Sequence, residues 1–209
     1  MNLRPLILIV AGFFCLTMNG QSRGIYMSSE SEVTKLALEK LAAQISFSKH
    51  DMEVVNKTKT VDSKIILLNT EHDKSWIKKF KLKLEDIKSE GFQIINQDKD
   101  TYLVAFDDAG LMYGILELKD QLKLFGEDSK FKEKTENPHF SFRAVKFNLP
   151  WSSYRIGESL HLHMKTVKDT VFWEGYLDMM AEQRLNALTL WNLHPFTFMI
   201  QPEKFPEAT

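Results

Sequence analysis

The chain has a single cysteine, Cys15, in 209 residues, and even that one falls in a segment expected to be removed. A disulfide framework is therefore excluded, and an exported protein of this kind must rely on its apolar core, as bacterial periplasmic or surface proteins do. Charge of one sign is also missing. The formal net charge is −1, becoming −2 once Arg4 is lost, and no basic stripe marks a nucleic-acid partner. No long hydrophobic run is present either: Leu6 to Leu16 spans about eleven residues, too short for a bilayer. There is no internal repeat, low-complexity tract, HExxH, nucleophile elbow, P-loop or dinucleotide fingerprint.

What is present begins with an export signal. Arg4 precedes the apolar run, small and polar residues follow (Thr17, Asn19, Gly20), and Gln21 is a plausible new N-terminus. An uncleaved anchor is the alternative. A lipoprotein is disfavoured because Phe13 and Phe14 stand where small residues should precede a lipidated Cys15. Residues 1–20 are thus read as a signal peptide and the mature protein as periplasmic or extracellular, with no membrane contact beyond export.

Residues 21–125 read as a small α/β domain with helices on one side of a mixed sheet. Ser29 to Glu32 forms a capping box, followed by Val33, Ala37, Leu41 and Ile45 at helical spacing. Met52 to Val55 and Lys64 to Leu68 read as strands, the second apolar throughout and so central. The Lys-rich stretch Lys74 to Lys88 is interleaved with Trp76, Ile77, Phe80, Leu82 and Leu84, a solvated amphipathic face. Phe92 to Asn96 and Thr101 to Phe106 flank a polar turn and predict a hairpin. Asp107 or Asp108 then caps a helix carrying Leu111, Ile115, Leu118 and Leu122, in which Gly114 permits close packing on the sheet. Residues 126–138 are charged and aperiodic, and read as a solvated linker.

From 139 onward the pattern is strand (Phe142 to Asn148), helix (Thr170 to Arg184, with Trp173, Tyr176 or Leu177, and Met180 inward) and strand (Ala187 to Trp191). A βαβ unit implies parallel strands and more sheet, because two strands cannot bury both faces alone. Substrate contacts in such folds gather at the C-terminal tips of the strands. That rule selects Asn148, Trp191, Asn192 and His194 as binding candidates. The long loop after the first strand adds Trp151, Tyr154, Arg155, His161 and His163, either a sugar-stacking surface or a plain cover over the barrel mouth. His161 and His163 could be half of a zinc site, but no third ligand has fixed spacing, so no metal and no cofactor is expected. Glycoside cleavage needs two carboxylates, and none of the acidic residues from Glu158 to Glu207 is placed as a strand-tip catalyst.

Glu90 to Ile95, then Phe106 to Gly114 and Leu118, resemble the small N-terminal domain of family 20 glycoside hydrolases, a domain also found before the barrels of α-glucuronidases. Its acidic-Gly-aromatic strand, hairpin partner and Gly-x-x-Tyr-Gly helix start are all matched. Pro138 to Arg143 resembles the lead-in to the first barrel strand, and Met179 to Leu190 the first barrel helix and second strand. The domain is called zincin-like for its shape, a name implying no metal here. The resemblance implies an α+β accessory domain followed by the first βαβ unit of an incomplete (β/α)8 barrel, truncated at residue 209. It implies an exported glycoside hydrolase acting on the O-glycosyl bonds of a carbohydrate substrate. Arg143 would bind sugar hydroxyls, as the corresponding arginine does in β-hexosaminidases. The catalytic acidic pair would lie beyond Thr209, leaving this chain inactive alone. Ala144 and Asn148 stand where the family has glycine and aspartate, and Trp191 to His194 where it has acidic residues, so substrate identity does not carry over. The alternative is a non-catalytic glycan-binding or structural module using the same aromatic loop.

Overall fold

The computed structural model describes residues 23–28, 31–45, 47–52, 63–126, 129–148 and 165–191. Residues 1–22, which include the expected signal segment, and residues 149–164 lie outside them. Six strands form one mixed sheet in the order β2-β1-β3-β5-β4-β6. These are β1 (Arg23–Met27), β2 (Phe47–Asp51), β3 (Ser63–Asn69), β4 (Phe92–Gln97), β5 (Asp100–Ala105) and β6 (Lys134–Glu136). β2, β1, β3 and β5 run parallel, while β4 lies antiparallel to both β5 and β6.

The apolar run Lys64 to Leu68 is central, as expected, and buried on both faces. Its odd residues Ile65 and Leu67 meet the first helical layer. This layer consists of α1 (Glu32–Ala42) and α3 (Asp108–Phe125), packed with Ile25, Ile94 and Leu103. α3 follows the expected register: Asp107 Oδ1 accepts from the Gly110 N–H at 2.8 Å, and Leu111, Ile115, Leu118 and Leu122 are all buried. α1 starts two residues later than the Ser29 box. Ser31 is the cap, reciprocated by Thr34 at 3.3 and 3.1 Å, and Val33 faces outward.

The sheet is covered on its other side too, which corrects the one-sided expectation. Tyr26, Ile66, Leu68, Tyr102 and Val104 pack under Trp76, Ile77, Phe80, Leu82 and Ile87. These belong to the short helix α2 (Lys74–Lys79) and the segment after it. The lysines of this stretch point to solvent, so the amphipathic reading holds; its apolar half is what closes the second core.

Three strands differ from expectation. β2 ends at Asp51, before the residues proposed for that strand, of which only Met52 is among those described. Within the supposed linker, Phe131 is buried and β6 pairs with β4, Phe92 opposite Glu136. Lys134 and Glu136 disguise the strand because edge strands carry charge. β1 was unforeseen: Arg-Gly-Ile-Tyr-Met has no alternation, yet all five residues are buried.

A second, two-stranded parallel sheet joins β7 (Ala144–Asn148) to β8 (Ala187–Trp191) across α4 (Thr170–Glu182). Asp169 caps α4 by accepting from Val171 N–H at 3.0 Å. Phe147 meets Phe172, Trp173 and Tyr176 at ring separations of 5.1 to 6.1 Å. Met180 is buried as expected, while Val171 and Leu177 remain exposed.

Candidate functional site

Register decides which candidates meet. Ala144 pairs with Ala187 and Asn148 with Trp191, so the last residues of β7 and β8 are backbone neighbours at the C-terminal end of the pair. Trp151, Asn192 and His194 lie outside the described residues, as do His161 and His163.

Arg143 is not with this group. It precedes β7, and a strand rise near 3.3 Å per residue separates it from Asn148 by about 16 Å. Its guanidinium is engaged at the opposite end. Nη2 pairs with Glu90, Nε donates to the Arg184 carbonyl at 2.6 Å, and Nη1 to the Phe140 carbonyl at 2.7 Å. The cation also sits 5.7 Å from the centre of the Tyr113 ring. Residues at the N-terminal end of barrel strands serve stability more than chemistry.

Around Arg143 the two sheets meet in a charged joint that sequence reasoning did not foresee. Arg184, held at φ 58, bridges Glu136 and Glu117, the latter at 2.5 Å, with its guanidinium over the Phe92 ring. Lys134 reaches Glu117 at 3.1 Å and Glu136 at 2.6 Å. On the helical side, Lys40 of α1 binds Asp178 and Glu182 of α4 at 3.2 and 2.8 Å. A cavity of about 230 Å³ opens at the joint, lined by Glu90, Phe92, Tyr113, Phe140, Arg143 and Arg184. The sequence cue was the acidic-Gly-aromatic run Glu90-Gly91-Phe92, legible as a motif but not as a contact; in the structure Glu90 takes φ 61.

These ion pairs fix the chemistry available to the acids. Burial pushes the Glu117 carboxyl up, but hydrogen bonds from Gln121, Lys134 and Arg184, with the Lys134 charge, outweigh it and hold the group below the ordinary value of 4.5. The Lys40 hydrogen bond, opposed by burial and aided by the Lys119 charge, does the same to Glu182. A general acid needs a raised pKa, so neither suits that role. Depressed folded-state values mean stability that is complete above the ordinary carboxylate range and lost as pH falls through the lower folded values. Melting temperatures measured from about pH 6 to about pH 3 should therefore fall, and Lys40→Met should flatten that fall. A wild-type midpoint constant over the same range would contradict the pairing.

Among the described residues, no group of three or more His, Cys, Asp or Glu side chains is arranged to hold a metal ion. No helix among them is long and apolar enough to cross a membrane.

No family model and no curated protein matches the chain. Solved structures do. An enzyme of family GH138 targeting pectin rhamnogalacturonan II matches with a TM-score of 0.62 at 24% identity, over 88% of this chain and 26% of that one. A family GH115 4-O-methyl-α-glucuronidase with specificity for decorated arabinogalactans matches at 0.55 and 19%, over 81% and 25%. The β-N-acetylhexosaminidase of Bacteroides fragilis reaches 0.49 and 16%, over 83% and 29%. At these identities the likeness establishes the fold. The chain spans roughly a quarter of the first two structures and carries the mixed α/β fold that such glycoside hydrolases have over that part of their length.

Proposed function

We propose that this chain belongs to an exported glycoside hydrolase, supplying an accessory α/β domain and the first βαβ unit of its (β/α)8 barrel. In this reading, Asn148, Trp151, Trp191, Asn192 and His194 form part of a carbohydrate subsite, and Arg143 serves the joint between the two sheets instead. The observation that carries the proposal is the parallel register bringing Asn148 level with Trp191, at the strand end where barrel enzymes hold substrate. The residue types fit a sugar: an indole stacks on the apolar face of a pyranose, and amide and imidazole groups bond its hydroxyls. In this reading the catalytic carboxylate pair is supplied from outside the described residues; Glu117 and Glu182, held below the ordinary value by their cationic partners, do not suit the general-acid role. Export follows from Arg4 and the apolar run after it.

The test is hydrolysis by the natural full-length protein. A panel would contain rhamnogalacturonan II, decorated arabinogalactan and β-N-acetylhexosaminides, with released reducing ends measured. Turnover of at least one glycan is the expected result. Absence of both turnover and binding across the panel would overturn the proposal. Binding without turnover would favour a non-catalytic glycan-binding module.

A further inference from the structure

We propose that Glu90 is a positioning residue. Its carboxylate, fixed in the turn just before β4 of the six-stranded sheet, ties together the residues that lead into β7 and β8 and so sets the height of Asn148 relative to Trp191. The inference rests on the carbohydrate-subsite reading for its functional consequence, but its geometry is independent of that reading.

The tie has two halves. The first is a reciprocal clamp between Arg143 and Asn186, each immediately before its strand. The Arg143 N–H donates to Asn186 Oδ1 at 2.9 Å, and the Asn186 N–H donates back to the Arg143 carbonyl at 2.9 Å. Asn186 Nδ2 adds a bond to the Ser141 carbonyl at 2.7 Å. The second half is Glu90, which accepts from both clamp residues. Asn186 Nδ2 reaches its two oxygens at 3.0 and 3.3 Å, and Arg143 Nη2 pairs with Oε2. One carboxylate thus receives the side chains that govern two strands.

Glu90 can act as a reference point because its own backbone is fixed. It sits at φ 61, and its N–H donates to Asp107 Oδ2 at 3.0 Å, beside Ser89 Oγ on the same oxygen at 2.9 Å. The other Asp107 oxygen caps α3. Behind it, α3 approaches so closely that a Cβ on Gly110 would come within 2.4 Å of the Gly91 carbonyl oxygen. The route from α3 to the strand tips therefore runs Asp107, Glu90, Arg143 with Asn186, then β7 with β8. A slip of one residue would reverse every side chain of a strand, so register control at the lead-in is felt at the tip.

Glu90→Gln isolates the proposal. The amide keeps the size but offers one acceptor and a donor that opposes the Arg143 and Asn186 donors. In the natural full-length protein, amide exchange in β7 and β8 should accelerate on the order of tenfold, with the six-stranded sheet unchanged. For a hydrolysed glycan, KM should rise by about tenfold while kcat changes by less than about twofold. Asn186→Ala, which removes the same tie from the other side, should reproduce both effects. Unchanged exchange in β7 and β8 in both variants would overturn the proposal, as would acceleration spread equally over the six-stranded sheet, the mark of a merely stabilising residue. If Glu90→Gln does not fold, Glu90→Asp, which keeps the charge but shortens the reach to Arg143 and Asn186, decides by the same exchange readout. Local acceleration in a protein that hydrolyses nothing would uphold the positioning role and reject only the glycosidase reading.

Discussion

Leu103→Ala is expected to lower the unfolding free energy by about 3 kcal/mol, and Gly114→Ala by about 1 kcal/mol net, yet the second change should become stabilising once the first is present. Leu103 lies fully buried on β5, directly beneath Gly114 of α3. A Cβ on Gly114 would come within 2.4 Å of Leu103 Cδ1 and 2.9 Å of Cδ2. Leu103 is fully buried, so its methyls must shift within a packed core to admit alanine, which overpacks the contact. The overpacking exceeds the roughly 1 kcal/mol that alanine contributes over glycine in a helix interior. Shortening Leu103 removes the clash and leaves only the helical gain. Denaturant titrations of the four proteins give the coupling directly. Additivity within about 0.5 kcal/mol would show that α3 does not rest on β5 through this glycine.

The largest functional effect is expected at β8. Trp191→Ala should weaken glycan binding by on the order of thirtyfold, equivalent to about 2 kcal/mol, the loss typical of a tryptophan anchor. Asn148→Ala, its register partner on β7, should weaken binding by about tenfold through a lost hydroxyl contact, as for one hydrogen bond in a desolvated site. Arg143→Lys provides the contrast. It keeps the charge but loses the fork that reaches Glu90 and two carbonyls, so it should disturb the joint more than it disturbs contact with sugar. Calorimetric titration of the natural full-length protein and its variants separates these outcomes. Equal affinities for wild type and Trp191→Ala would remove β8 from the subsite.

How much of this was legible in the sequence depended on whether local pattern and tertiary role coincided. α3 shows its apolar stripe at helical spacing and its cap one residue upstream, and the hairpin of β4 and β5 brackets an obvious polar turn whose Asp98 takes φ 57. β7, α4 and β8 are legible because two short, largely apolar runs flank an amphipathic helix, although the described residues of both strands are only half-buried or exposed. β1 was invisible because a five-residue strand buried on both faces has no period. β6 was hidden by charges that suit an edge, and so its segment read as linker. The joint was illegible for a different reason. Glu90, Arg143 and Asn186 are widely spaced in sequence, and each alone resembles an ordinary surface residue; only folding makes them one network. The resemblance to β-hexosaminidases implies a sugar-binding Arg143, while its hydrogen bonds to Glu90 and to the Arg184 and Phe140 carbonyls become visible only in the fold.

The most direct measurement is a crystal structure of the natural full-length protein with the glycan from the panel that it binds most tightly. A sugar residue stacked on Trp191 and hydrogen-bonded to Asn148 is the expected result. A glycan seated elsewhere, with both strand tips untouched, would contradict a carbohydrate subsite on β7 and β8.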